Sequence, residues 1–230
     1  MKVALVTGGS RGIGAKTVEK FAKNGFTVIL NYNASECQAK DLQARLNLQG
    51  CDVHLFKADV SRVDEVCAMF GYVGKYFKHL DVLVNNAGVP CGKQLQDVTE
   101  EDYDRVMNVN AKGAFFCCKY ALPYLAKNRG TIVNVASIWG VRGASCESAY
   151  SMSKHAVVGL TRSLASELDA TGVTVNALCP PFVATEMTSG YTPEEIADFC
   201  KETNTSVYTA EQVAERIYDL ATSGSNGAVL

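Results

Sequence analysis

The chain has 230 residues, 47% of them apolar and 20% charged, with 19 Gly and 5 Pro. That length and mixture predict one α/β domain with a real core and exclude disordered, collagen-like and proline-rich classes. Lys and Arg total 22 against 24 Asp and Glu, a net charge of -2, so no basic excess points to nucleic acid or an anionic membrane.

Nine cysteines are scattered without a C-x-x-C pair, which predicts reduced thiols in a cytoplasmic protein rather than a disulfide or zinc framework. The apolar run at residues 3–6 is too short for a signal peptide core, and no stretch approaches the roughly 18 apolar residues of a membrane span.

Short apolar runs alternate with amphipathic stretches as far as about residue 180, the pattern of repeated βα units around a parallel sheet. Candidate strands rich in Val, Ile, Leu and Thr cover residues 3–7, 27–30, 53–56, 82–85, 131–136 and 173–178. The expected architecture is a doubly wound parallel sheet, a Rossmann fold, with six to seven strands in one domain over residues 1–230. After the first strand, Ile13, Thr17, Phe21 and Ala22 recur at helical spacing and stop at Asn24-Gly25, a helix C-terminal signal. Ser35 to Gln38 reads as a capping box; Thr192 to Glu195 and Thr209 to Gln212 repeat it and predict two helices in the tail. The helix expected over residues 148–169 carries Val157, Leu160, Leu164 and Leu168 on one stripe and Ala156, Gly159 and Ser163 on another. It either packs wholly within the chain or turns its small stripe to a second subunit.

Directly after the first strand, Thr7-Gly8-Gly9-Ser10-Arg11-Gly12-Ile13-Gly14 opens into the first helix. Glycine permits positive φ and close backbone approach there, so amide donors and the positive helix end can face a pyrophosphate. The second strand ends in Leu30-Asn31-Tyr32-Asn33, without the acid that accepts from ribose hydroxyls and repels a 2′-phosphate. Arg11 supplies positive charge for that phosphate, so NADP(H) is expected over NAD(H).

Tyr150 and Lys154 are four residues apart on the expected helix and share a face. A phenol is a poor acid or base at neutral pH, but an adjacent ammonium favours its ionised form and lowers its pKa towards the working range. Ser137 ends the fifth strand at the carboxyl edge of the sheet, where ligands bind in open α/β folds, and its hydroxyl can donate to a developing oxyanion.

With these motifs in this order, the chain resembles the short-chain dehydrogenase/reductases over nearly its whole length. The resemblance places the glycine turn on Thr7 to Gly14, an adenine-contacting pair on Asp59-Val60, and the Asn-Asn-Ala-Gly segment on Asn85-Asn86-Ala87-Gly88. It implies a catalytic tetrad of Asn110, Ser137, Tyr150 and Lys154, and dinucleotide contacts from Gly8, Ser10, Arg11, Gly12, Ile13, Gly14, Asn31, Asp59, Val60, Asn86, Ala87, Gly88, Tyr150, Lys154, Pro180, Val183 and Thr185. By that resemblance, the pro-4S hydride of NADPH passes to a carbonyl carbon while Tyr150 protonates the oxygen and Ser137 holds it. Lys154 then lowers the Tyr150 pKa and binds the nicotinamide ribose, and Asn110 holds a relay water.

Two departures stand out. Pro180-Pro181 replaces the usual Pro-Gly after the sixth strand, which removes an amide donor and fixes φ near -65°. Gly227-Ala228-Val229-Leu230 leaves only a stub of a seventh strand, which makes a homodimer through the helices over residues 113–127 and 148–169 as plausible as a homotetramer.

The resemblance is greatest to bacterial 3-oxoacyl-acyl-carrier-protein reductases, which implies a small-molecule, carrier-linked or protein-linked ketone as substrate. The basic residues that dock the carrier fall on Asn128 and Thr171, with Lys127 and Arg129 nearby. The stretch from Ser137-Ile138-Trp139-Gly140 to Tyr150-Ser151 also resembles reductases of the 5-aminopentanone group on translation elongation factor P. There, Glu147 is an acid suited to an ammonium-bearing substrate, or, with Trp139, a loop stabiliser. Cys146, near Tyr150, is expected as a buried thiol, with a reactive one as the alternative. His54, His79 and His155 are too dispersed for a metal site, and none is expected. A non-catalytic cofactor sensor or scaffold on the same fold is the alternative class, which the complete tetrad disfavours.

Overall fold

The computed structural model describes residues 1–230. In chain order the elements are β1 (Lys2–Val6), α1 (Gly12–Lys23), β2 (Phe26–Tyr32), α2 (Glu36–Leu48), β3 (Asp52–Lys57), α3 (Val63–Tyr76) and β4 (Val82–Asn85). There follow α4 (Glu100–Val106), a π-helical stretch Met107–Lys112, α5 (Gly113–Leu125), β5 (Thr131–Val135), α6 (Ser148–Glu167) and β6 (Thr174–Leu178). The remainder holds β7 (Val183–Ala184), α7 (Pro193–Thr203), β8 (Tyr208–Thr209) and α8 (Ala210–Thr222).

Six strands pair in parallel in the order β3-β2-β1-β4-β5-β6. Alternation along each strand sends side chains to opposite faces: Ala4 and Val6 join the core under α1, α2 and α8, whereas Val3 and Leu5 join the core under α3, α5 and α6. With both faces covered, β1 and β2 read as continuous apolar runs. The strand order reverses between β1 and β4, so the loops after these two strands splay apart and leave a crevice at the carboxyl edge. The expected seventh-strand stub is present as one parallel bridge, Ala177 to Val229.

Local signals fare unevenly. α1 ends at the predicted Asn24-Gly25, with Gly25 at φ +79°, and the boxes at Thr192 and Thr209 both form and open α7 and α8. Ser35 makes no side-chain cap, so the third expected box is absent although α2 starts where it was placed. In α6, Val157 and Leu168 are buried while Ala156, Gly159 and Ser163 face solvent; the small stripe is unpartnered within one chain. Cys146, expected as a buried thiol, is exposed at φ +62° in the turn before α6. No helix is long and apolar enough to cross a membrane.

Candidate active site

The glycine turn is held from three sides. Gly8 and Gly12 adopt φ +62° and +53°, the left-handed region that favours glycine. A Cβ on Gly14 would overlap the Gly8 carbonyl oxygen and lie 2.6 Å from Asn86 Nδ2, so α1 starts as close to the turn as backbone permits. Asn86 Nδ2 donates to the carbonyls of Thr7 at 2.9 Å and Gly8 at 3.1 Å, and Thr7 Oγ1 accepts from the amides of Asn86 and Ala87. The loop after β4 is thereby fastened to the turn after β1.

Asn31 lines the same cavity and also holds the turn. Its side chain is buried and turned inward, accepting from Gly8 N at 3.2 Å and donating to Ala58 O at 3.0 Å. It braces the turn, and the exposed residue at the end of β2 is Asn33.

Ser137 follows β5, and its Oγ accepts from Trp139 N at 3.2 Å as it caps the short helical turn Ile138–Gly140. That turn lies directly on α6: a Cβ on Gly140 would sit 2.9 Å from the Lys154 carbonyl oxygen. Ile138 N donates to Pro180 O at 2.9 Å, which ties in the loop after β6. Gly140 and α6 together bring Ser137 and Tyr150 to the same cavity. Lys154 is buried; its Nζ donates to Val135 O at 2.9 Å and lies 5.6 Å from the Tyr150 ring centroid.

Burial sets the electrostatics here. Desolvation first, then the nearby Glu147, pushes the Tyr150 phenol up to about 12, and the Ser137 hydroxyl offsets part of that. The chain by itself therefore does not lower the Tyr150 pKa. Desolvation instead pulls the Lys154 ammonium down to about 8.

The Asn110 side chain is held by its neighbours. Its Nδ2 donates to Val89 O and Ser153 Oγ, each at 3.0 Å, and its Oδ1 accepts from Val89 N at 2.8 Å. The side chain clamps the loop after β4 to α6 from within the π-helical stretch, behind Gly88.

Ser137, Tyr150, Lys154 and every residue assigned above to the dinucleotide, from Gly8 to Thr185, line one cavity of about 920 Å³. Asn110 alone among the assigned residues does not. Lys127, Arg129 and Thr171, considered for carrier docking, precede β5 and β6 and so border the opposite edge of the sheet.

Sequence reasoning singled out Trp139 and Glu147 on the far wall of the cavity but missed the rings and acids that join them. Trp139, Phe182, Tyr191 and Phe199 form a chain of rings with centroids 5.1–5.6 Å apart. Glu195, Asp198, Phe199 and Glu202 reach the cavity from α7 at i, i+3, i+4 and i+7, one helix face. That spacing was legible, but nothing in it says which way the face turns. Tyr191 lines the same cavity as Glu147, whose Oε2 is buried with no partner, and burial pushes the Glu147 carboxyl up to about 7.

Comparison with known proteins agrees with this geometry. The 3-oxoacyl-[acyl-carrier-protein] reductase FabG of Staphylococcus aureus is 39% identical over 194 residues, 84% of this chain and 79% of that protein. The hydroxynaphthalene reductase-like protein Arp2 of Metarhizium majus is 40% identical over 187 residues, 81% and 70% of the two chains. A short chain dehydrogenase from Burkholderia cenocepacia, solved in complex with NADP, superposes with a TM-score of 0.92 at 32% identity, covering 100% of this chain and 95% of that one. The short chain dehydrogenase family matches residues 2–196, and with the glycine turn, Ser137, Tyr150 and Lys154 lining a single cavity, the chain belongs to that family of oxidoreductases.

Proposed function

We propose that this protein reduces a ketone to a secondary alcohol with NADPH. One observation carries the reading: Ser137, Tyr150 and Lys154 share a cavity with a glycine turn in which Gly8 and Gly12 take positive φ and Gly14 has no room for a side chain. The residues present fit NADPH, since the amides opening α1 face the cavity, Arg11 stands at its mouth, and the end of β2 offers Asn33 rather than an acid. NADPH bound there supplies the hydride for the carbonyl carbon.

The chain's own residues do the rest. Ser137 Oγ accepts from Trp139 N and keeps its O–H free to donate to the carbonyl oxygen. A phenol held near 12 stays protonated at neutral pH, so Tyr150 donates its proton as charge develops on that oxygen. Lys154, charged below about 8, stabilises the phenolate left behind and reaches towards the nicotinamide ribose. Asn110 keeps the loop after β4 and α6 in register.

The carrier-protein reductase among the relatives makes a 3-oxoacyl thioester the first substrate to test. A second reading has its own observation. The acid-and-ring wall of Glu147, Asp198, Glu202, Trp139, Tyr191 and Phe199 suits an ammonium-bearing ketone, such as the 5-aminopentanone group on elongation factor P, through charge and cation–π attraction. NADPH consumption is to be followed with an acetoacetyl thioester, an ammonium ketone and its neutral N-acetyl analogue. Turnover of any supports the reductase; a preference for the ammonium ketone that Glu147→Gln removes supports the second reading. Tight NADPH binding with no turnover across the panel would leave a sensor or scaffold. We further propose a homodimer or homotetramer through α6, whose Ala156, Gly159 and Ser163 permit close approach beside the half-exposed Phe115 of α5. Nine unpaired cysteines suit a cytoplasmic setting.

A further inference from the structure

Arg11 and Glu186 are 175 residues apart in sequence and meet at the mouth of the cavity, where Arg11 Nη1 donates to Glu186 Oε2 at 3.0 Å. Arg11 stands at the N-cap of α1, in the glycine turn. Glu186 opens the helical turn Glu186–Thr188 and so begins the lid, the segment over residues 186–207 whose Tyr191, Glu195, Phe199 and Glu202 line the cavity; the pairing of β7 with β8 closes it at its base. The two backbones are adjacent, since a Cβ on Gly12 would lie 3.6 Å from Thr185 Cγ2. The far end of the lid is fastened separately by Arg142 Nη1, which donates to Thr203 O at 3.2 Å.

Three cationic side chains line the cavity: Arg11, Arg105 and Lys154. Lys154 is buried on the Val135 carbonyl, and Arg105 donates to Pro90 O beyond β4. Arg11 is thus the cation available to the adenosine half, and in this structure it is engaged by a carboxylate. The side chains of the pair are 61% and 66% exposed, and a pair so solvated is weak. A phosphate monoester carries more than one negative charge near neutral pH and accepts a guanidinium in bidentate fashion, so it is the stronger partner.

We infer that Glu186 is a specificity-determining residue that competes with the 2′-phosphate of the cofactor for Arg11, so that NADPH opens the Arg11–Glu186 clasp and NADH leaves it closed. This rests on the NADPH reading proposed above. Opening the clasp releases the near end of the lid from the glycine turn while Arg142 still holds the far end. The phosphate that distinguishes the two dinucleotides is thereby sensed by the segment that covers the substrate.

Dissociation constants for NADPH and NADH, read from cofactor fluorescence on the wild type, Glu186→Gln, Arg11→Ser and the double variant, test this. The expected result is that Glu186→Gln tightens NADPH about threefold or more, leaves NADH nearly unchanged, and has no effect once Arg11 is Ser. Weaker NADPH binding in Glu186→Gln, no change, or an equal shift for both dinucleotides overturns the competition. Adenosine 2′,5′-bisphosphate and adenosine 5′-monophosphate carry the same phosphate difference without nicotinamide. If the protein fails to reduce any ketone, the reductase reading falls, and these two probes with the same variants still decide the clasp.

Discussion

Lys154 Nζ donates to the Val135 carbonyl at 2.9 Å rather than reaching the Tyr150 hydroxyl, although it lies 5.6 Å from the centre of that ring. The ammonium is therefore buried against β5 with its pKa pulled down to about 8. In the free enzyme it is charged below that pH and neutral above it. We expect kcat/KM for NADPH to be level below pH 8 and to fall about tenfold per pH unit above it, as the group that stabilises the phenolate loses its charge. A profile flat to pH 9.5 would refute this. The folded chain also binds fewer protons at Lys154 than the unfolded chain between about 8 and the ordinary 10.5, so stability rises with pH across that window.

Replacing Tyr150 by Phe removes the proton donor and leaves the ring. NADPH binding should stay within a few-fold of wild type while kcat falls at least about 10²-fold, the scale of general acid catalysis. Single-turnover reduction at a near wild-type rate would show that another group protonates the oxygen.

Gly14→Ala forces a methyl against the Gly8 carbonyl and Asn86 Nδ2. Backbone cannot yield there as a flexible side chain would, so a loss of about 1–3 kcal/mol is expected. Dinucleotide binding should suffer more than folding, because the strain falls on the turn itself. Calorimetric melting beside NADPH titration separates the two; unchanged affinity would mean that the turn relaxes.

Glu19 joins α1 to α2, with Lys23 Nζ at 2.7 Å and Arg45 Nη1 at 3.2 Å. Its hydrogen bonds to Lys23 and then Arg45 hold the carboxyl down at about 2. The folded chain binds fewer protons there than the unfolded one between about 2 and 4.5, so this stabilisation is present above 4.5 and is lost as pH falls towards 2. Partial exposure limits it, and Glu19→Gln should cost about 1 kcal/mol at pH 7, a fall of roughly 2–4 °C in Tm. The deficit should vanish near pH 2; a deficit that persists in acid would point to packing instead.

The legible part of the site was the part encoded locally. A glycine turn between a strand and a helix, a Tyr and Lys one helical turn apart, and a Ser at a strand end each state their geometry within a few residues. What stayed hidden has a common cause. An amide such as Asn31 or Asn110 has several donors and acceptors, and the groups that claim them come from other elements: backbone at Gly8, Ala58 and Val89, and the Ser153 hydroxyl. The Tyr150 pKa was read from the charge next to it, whereas desolvation by the surrounding elements is the largest influence on it.

Apolar periodicity and the βα alternation determined the parallel sheet, because a strand covered on both faces must be largely apolar. They also fixed the crevice at its carboxyl edge, since chain direction settles which edge carries the loops. Only the tertiary structure decided what closes that crevice. Glu147, Glu186 and the acidic face of α7 are distant in sequence from the glycine turn, and charges act through the space between them rather than along the chain.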